Sequence, residues 1–501
     1  MLRCCRWYLV VGLGLGVAAT GLIFFLAWRD IFDTLVNEEK ALVPGTVFYK
    51  EWRRPTVRPL WSVYMFNWTN APAYLSDPRA STATFEEVGP YTYEELSEMV
   101  DVKVFHGNGT IGYRRRIAFR RWPSTQATMA ATPEPNITTV NFAAVGAAFA
   151  VRHLDYGAQR ELSFLLHNLR QHLTVAGPAD QLLFTGYHPD PLLARWRELF
   201  CRPPNASDAV LCQPERLAYF RTLNSTRKSS PLYYYLNVGI RDRRSYGEVN
   251  LEPCARGADD CAGSKAPSVG GFTGDLFPSR IDRTKPLALV LVDLCQRLSL
   301  VYDRETVVAG IVGYRFVSAS GPGPSQPTWP PRNNGSGPFH YGMVNSYECT
   351  GLPLFGDPVR SDSTANRSAE IVLVLEPITG TVLKSSISVQ FQTVLRPNAH
   401  IALFQDLPVV NVPLFRFTRH YQLPEGSTHR LKRLLHLLEV GHQAAISGCC
   451  LGVLLVALAV IYSLCKGRCN RQKQKPQAIP KSSSDYTIIG TQLSNNGTGG
   501  C

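Results

Sequence analysis

Apolar and polar positions along this chain follow two patterns. At each end lies an uncharged apolar run of 22 residues, 7–28 (WYLVVGLGLGVAATGLIFFLAW) and 444–465 (AAISGCCLGVLLVALAVIYSLC). A helix needs about 20 such residues to cross the hydrocarbon core of a bilayer, so each run predicts a membrane span. Between them, apolar residues come in short segments rich in Val, Ile, Tyr and Phe and broken by Gly, Pro and Asn: 61–68, 109–122, 232–240, 309–317, 369–395 and 400–415. That pattern predicts antiparallel strands and hairpins. The stretch 318–338 has no apolar period and predicts a turn-rich loop. The chain is therefore expected to be α+β, with a tail at 1–6, a span at 7–28, one large domain at 29–443, a second span at 444–465 and a tail at 466–501.

Helical period is rarer. Over residues 159–173, Leu162, Leu165, Leu166, Leu169 and Leu173 recur at three- and four-residue intervals and make one apolar stripe. The other side carries Arg160, Phe164, His167, Asn168 and Gln171, with Arg170 at its margin. An aromatic on a polar, partly basic face is a candidate ligand contact; a Phe covered by a neighbouring loop is the plainer explanation. Residues 428–440 predict a second amphipathic helix, with Leu431, Leu434, Leu435 and Leu438 on one side and Arg430, Lys432 and Arg433 around it, a connector into the second span. Arg114, Arg115, Arg116, Arg120 and Arg121 alternate sides on a strand, so they are expected to form a solvated edge and not a concentrated patch.

Charge sets the orientation. Arg3 and Arg6 precede the first span, while Lys466, Arg468, Arg471, Lys473 and Lys475 follow the second, which predicts cytoplasmic tails and a large domain on the far side of the membrane. A cleavable signal peptide is the alternative for the first run, but signal cores span only about 7 to 15 residues. This run also ends in FFLAW, not in a small-residue cleavage site. Seven N-x-S/T sequons fall between the spans, at Asn67, Asn108, Asn136, Asn205, Asn224, Asn334 and Asn366, and predict a glycosylated extracellular or lumenal domain. Cys201, Cys212, Cys254, Cys261, Cys295 and Cys349 lie in the same region, an even number suited to disulfides. Cys4, Cys5, Cys465 and Cys469 flank the spans as candidate palmitoylation sites, unmodified thiols being the alternative for each. Of the net charge of +13, the tails carry +2 and +5, leaving a mild +6 on the large domain. Basic tails suit an anionic lipid surface, and nucleic acid is not an expected partner.

No catalytic signature emerges. The sequence lacks a G-x-S-x-G elbow, an H-E-x-x-H helix, a Walker loop and a G-x-G-x-x-G after a strand. His167 and His172, five apart, do not share a helical face as metal ligands would. Neither span holds Asp, Glu, Lys, Arg or His, which argues against a pump or channel. The expectation is a non-enzymatic protein with no catalytic residues, no cofactor and no metal.

EEKALVPGTVFYKEW (38–52), EVGPYTYEE (87–95), TPEPNITTVNFAAVGAA (132–148), VDLCQRLSLVYDRETVVAGIVGYRF (292–316) and LEPITGTVL (375–383), set between two terminal spans, resemble the class B scavenger receptor family, whose members include platelet glycoprotein IV (fatty acid translocase). The likeness runs nearly end to end. It implies an antiparallel β-barrel core with an internal lipid tunnel and an apical helical bundle distal to the membrane. Residues 159–173 match that bundle, which makes Arg160, Phe164, His167, Arg170 and His172 the expected contacts for lipids, fatty acids or lipoproteins. Cys261, Cys295 and Cys349 match family positions; the family's clustered cysteines are missing from 318–348, and Cys201, Cys212 and Cys254 stand outside its pattern. These departures leave the connectivity open, and the pairing expected is Cys295 with Cys349, Cys201 with Cys212 and Cys254 with Cys261. The resulting expectation is a plasma-membrane receptor that delivers apolar cargo to the bilayer, with an endolysosomal protein or a chemosensory lipid co-receptor as sibling roles and a two-span ectoenzyme as the rival from another class. Tyr486 and Ile489 in the tail have the spacing of a sorting signal for a clathrin adaptor and cycling to endosomes or lysosomes. A homo-oligomer is the other candidate assembly.

Overall fold

The computed structural model describes residues 5–107, 109–122, 135–187, 192, 194–195, 218–220, 233–239, 243–252, 271–291, 296–318, 344–345, 355–357 and 371–473. It divides into two compact units, one made of Met1–Ile31 with Leu435–Cys501, the other of Phe32–Leu434.

The first unit is two helices side by side. They belong to helix α1 (Cys5–Glu39) and to the last helix of the chain, Glu425–Lys473, both long and apolar enough to cross a membrane. Small residues let them touch. A Cβ on Gly452 would lie 2.4 Å from Ala18 N, and one on Gly441 would lie 1.9 Å from the Trp28 ring, whose Nε1 donates to Leu438 O at 3.0 Å. Backbone approach of this kind is the usual source of helix association where both surfaces are equally apolar. Both helices exceed the apolar runs that announced them. The segment 428–440 is the continuous N-terminal part of the last helix, with Leu431 buried.

The second unit is a mixed domain. Its helices are α2 (Val47–Arg53), α3 (Ala71–Ser76), α4 (Phe142–Val151) and α5 (Tyr156–Asn168). Its strands are β1 (Leu60–Trp68), β2 (Phe85–Phe105), β3 (Thr110–Arg121), β4 (Ile137–Val140), β5 (Thr174–Gly177), β6 (Tyr233–Asn237), β7 (Val249–Glu252), β8 (Leu287–Leu291), β9 (Gln296–Val308), β10 (Ile311–Ser318), β11 (Val344–Asn345), β12 (Phe355–Asp357), β13 (Val372–Leu375), β14 (Val382–Leu395) and β15 (Val410–Gln422). β4 and β5 pair by themselves, and the other thirteen form one antiparallel sheet in the order β7-β6-β3-β2-β1-β15-β14-β13-β10-β9-β8, with β11 and β12 off β14. Its two ends are stitched by one residue. Phe272 bridges Glu248 beside β7 and Leu289 in β8, Val249 N donates to Gly271 O and Val290 N to Phe272 O, each at 2.8 Å.

The expected strands are present with shifted bounds. Residues 369–395 divide into β13 and β14 around a turn, and 400–415 begin with a short 3-10 helix at Ala402–Phe404 before β15. The turn explains LEPITG. The Glu376 carboxylate caps it, accepting from Ile378 N at 3.0 Å and Thr379 N at 2.6 Å, and Gly380 at φ +69° leaves no room for a side chain, since a Cβ would stand 2.0 Å from Pro278 O. Lys40 of EEKALVPG donates to Phe277 O at 2.8 Å and to Thr379 O, which ties the end of α1 to this turn.

Candidate functional site

Two places in the second unit gather chemistry. The first is the outward face of α5. Its inner side is fixed by Leu162 and Leu166, both buried, and by two polar anchors: Asn398 Nδ2 donates to Gln159 Oε1 at 3.2 Å, and Ala402 N to Ser163 Oγ at 2.9 Å. The outer side is left to Tyr156 and Phe164, 60% and 62% exposed, with the Arg160 guanidinium 5.8 Å from each ring centroid. His167 is exposed further along the same helix. Leu154 is 47% exposed, and Tyr156 meets the His400 ring edge-on at 5.1 Å. A solvent-facing group of two aromatics, a Leu and a cation is the composition that apolar ligands with charged heads recognise. Tyr156 and His400 could not be found by periodicity; Tyr156 sits at the first helical position after Asp155, outside the expected 159–173.

That expectation needs correcting at its end. The helix stops at Asn168, because Arg170 adopts a left-handed backbone (φ +47°), with Arg170 N donating to His167 O and Gln171 N to Leu166 O. These two bonds form a Schellman cap, a position that usually selects glycine. Arg170 and His172 are exposed but lie past the helix, and the His172 backbone is held by Asn141, whose Nδ2 donates to His172 O at 2.9 Å. Beside α4, Val140, Phe142, Leu182 and Tyr219 line a small apolar hollow.

The second place is inside the sheet. GPYTYEE lies in β2, where alternation sends adjacent glutamates to opposite faces. Glu94 faces outward and pairs with Arg58 at 3.2 Å and with Arg120. Glu95 is 2% exposed and takes Arg419 Nε and Trp61 Nε1 at 2.7 Å each, while Arg115 stands 3.9 Å away and reaches Asp275 at 4.0 Å. The basic run is thus not a uniformly solvated edge. Arg116 and Arg120 point outward to Glu98 and Glu94, and Arg115 turns inward among charges that β2, β3 and β15 bring together. Burial alone would raise the Glu95 carboxyl above its ordinary value, but the Arg419 and Arg115 guanidinia and the Trp61 N–H hold it below. Against the burial that would lower them, Arg115 is raised chiefly by Asp275 and Arg419 chiefly by Glu95. Aromatic rings flank the layer. Trp61 stacks on Phe417 at 4.4 Å, and Tyr113 stacks on Tyr234 at 5.2 Å.

Several sequence-predicted sites lie outside the described residues: all six cysteines from Cys201 to Cys349, Cys4, Asn108, Asn205, Asn224, Asn334, Asn366, Tyr486 and Ile489. Asn136 is exposed, Asn67 is half-buried with Oδ1 accepting from Thr138 N at 2.9 Å, and Cys465 is exposed on the last helix, which also carries Cys469.

Two terminal apolar helices and a large antiparallel sheet define a membrane-anchored α+β protein. Residues 10–463 match the model of the CD36 family, and the chain belongs to that family. It is 22% identical over 437 residues to Protein peste of Drosophila melanogaster, covering 82% of this chain and 74% of that one. It is 22% identical to Sensory neuron membrane protein 1 of Helicoverpa armigera (84% of each chain) and 22% identical to Scavenger receptor class B member 1 of Rattus norvegicus (92% and 90%).

Proposed function

We propose that this protein is a scavenger-type receptor that binds lipids, fatty acids or lipoproteins at the α5 face and delivers their apolar cargo to the membrane without making or breaking bonds. The observation that carries this reading is the exposed group of Tyr156, Arg160 and Phe164, an aromatic surface with a cation at its centre. The family membership supports it, and an acyl chain sheltered within the domain gains roughly 0.8 kcal/mol per buried CH₂. Both tails are cytoplasmic in this reading, residues 29–443 face the outside or a lumen, and the receptor resides at the plasma membrane. The expected glycans, disulfides and palmitoyl groups belong to the same topology, and the Tyr486 signal cycles the receptor through endosomes.

The test uses cells displaying the full chain and liposomes containing anionic phospholipid. The double variant Arg160→Glu with Arg170→Glu should capture several-fold fewer liposomes and lose most of its salt dependence, since steering charges are screened by salt. Capture equal to that of the unaltered chain at matched surface level removes the α5 face from the site.

A further inference from the structure

The turn between β9 and β10 breaks the pattern of the strands that lead to it. Along β9, Asp303 and Glu305 are exposed and charged, as the water-facing side of a sheet requires. Two residues further, the same side carries Val307, 65% exposed, and directly across from it on β10 stands Val312, 51% exposed. Between them the chain reverses in two residues, Ala309 and Gly310, both with positive φ (+48° and +77°). Hairpin turns of this type are normally built from Asn, Asp or Gly. An Asn would be less strained and better hydrated than the Ala that occupies this left-handed position. Residues 307–312, VVAGIV, hold no polar side chain at all. An exposed tip that is wholly apolar, carried on a charged strand, is suited to meet something other than water.

Its place along the chain identifies the partner. The tip lies against the last helix, where a Cβ on Gly310 would stand 3.0 Å from Lys432 Nζ. Further along that helix Leu438 O accepts from Trp28 Nε1, and Trp28 closes the first apolar run. Tryptophan marks membrane–water interfaces, and the helix between Leu438 and Lys432 rises by roughly 9 Å. Lipid head groups extend roughly 5 to 8 Å beyond the hydrocarbon core on each side. Lys432, and the tip against it, therefore stand at the outer edge of the head-group layer. A second contact at this height, Arg430 Nη1 to Glu51 Oε1 at 3.1 Å, brings in α2, whose N-terminal flank exposes Val43 and Val47. Lys432 is itself exposed and pairs with no carboxylate among the described residues. We propose that the β9–β10 tip is a docking surface for the bilayer: Val307 and Val312 enter the head-group layer, Lys432 meets lipid phosphates, and the large domain is seated on the leaflet it faces. Apolar side chains flanked by basic ones are the usual make-up of an interfacial surface. The docking rests on the two-span topology proposed above and gives the domain an attachment to the membrane besides its two helices.

The experiment replaces Val307, Val409 or Leu454, one at a time, by the photoreactive residue benzoylphenylalanine in the full chain, held in nanodiscs of phosphatidylcholine and phosphatidylserine. Irradiation is followed by mass spectrometry of the adducts. Val409 is 61% exposed, much like Val307, but it precedes β15, whose 13 residues set it roughly 40 Å from the end that leads into the last helix. Leu454 is exposed within the second apolar run. Phospholipid adducts at 307 should exceed those at 409 by about tenfold or more and approach those at 454, as an interfacial position implies. Lys432→Glu, in the chain carrying the photoreactive residue at 307, should lower its phospholipid adduct several-fold; an unchanged yield overturns the part given to Lys432. Adducts at 454 with no more at 307 than at 409 overturn the docking and leave the topology intact. Adducts at 307 only to another copy of the chain, or to another part of the same chain, do likewise and name the true occupant. No phospholipid adduct at 454 overturns the topology and the docking together. If the chain altered at 307 is not recovered folded, its cross-strand neighbour Val312 takes its place.

Discussion

The two faces of β2 run the same chemistry in different surroundings. On the outer face Glu94 is gripped by Arg58 and Arg120, whose side chains are 40% and 60% exposed; on the inner face, one residue along, Glu95 is held by Arg419 and approached by Arg115, which are 18% and 13% exposed. The outer cations can fall back on water when their partner is lost. The inner ones cannot, so the same substitution on the two faces should give very different results.

The largest effect is expected at Glu95. Glu95→Gln keeps the volume but leaves Arg419 and Arg115 without their charge, and stripping one partner from a buried ion pair costs about 3 to 5 kcal/mol. Glu94→Gln should cost about 1 kcal/mol or less, in the range of solvent-accessible pairs. Denaturant unfolding of the two purified variants checks the contrast, and equal losses would mean that the inner layer is hydrated as fully as the outer.

Acidity sharpens the comparison with a smaller effect. Glu94 and Glu95 both lie below their ordinary value of 4.5, despite the burial that would raise them, because Arg120 and Arg58 act on the first and Arg419 and Arg115 on the second. A carboxylate lowered in the folded state contributes stability that is complete above its unfolded value and lost as pH falls through the folded one. Lys40 has the opposite history. Burial pulls it from 10.5 to about 7 against the pull of Glu376, so stability declines as pH falls from 10.5 to 7 and is unaffected by Lys40 below that. Thermal unfolding scanned against pH should therefore show a plateau between about pH 5 and 7 and a fall below about 4.5. A steady decline across 5 to 7 would place other titrating groups in control.

How much of this could be read from the sequence depends on the range of the interaction. The spans, seven of the fifteen described strands (β1, β3, β6, β10, β13, β14 and β15) and the stripe on α5 are local patterns and were legible. β2 was not, because Glu86, Glu87, Glu94 and Glu98 interrupt its apolar residues, although that interruption is the mark of a wall with one wet face. The end of α5 was hidden because Arg170 stands where a glycine would have signalled the stop. The inner layer could not be seen at all, since Arg419 and Glu95 are 324 residues apart and only the pairing of β1 with both β2 and β15 brings them together. Arg115 looked like every other arginine in its run until its strand neighbours fixed which way it turned.

The smallest effect belongs at the outer rim. Glu98, 23% exposed, receives Arg54 Nε at 2.6 Å and Arg116 Nη1 at 3.3 Å, and Arg54 leaves 73% of its side chain in solvent. A long side chain held in one geometry gives up rotamer freedom for a contact that water and salt already weaken, so such pairs contribute about 0.2 to 1 kcal/mol. Arg54→Ala should shift the unfolding free energy by about 0.5 kcal/mol or less, and the shift should vanish in about 1 M salt, where the screening length is near 3 Å. The short Nε contact is no argument for more, because Arg116 remains on Glu98 when Arg54 is gone and no charge is stranded. A loss above about 2 kcal/mol that persists in salt would show the rim to be shielded like the interior. The contrast between the two faces of β2 would then have to be explained by packing and not by access to water.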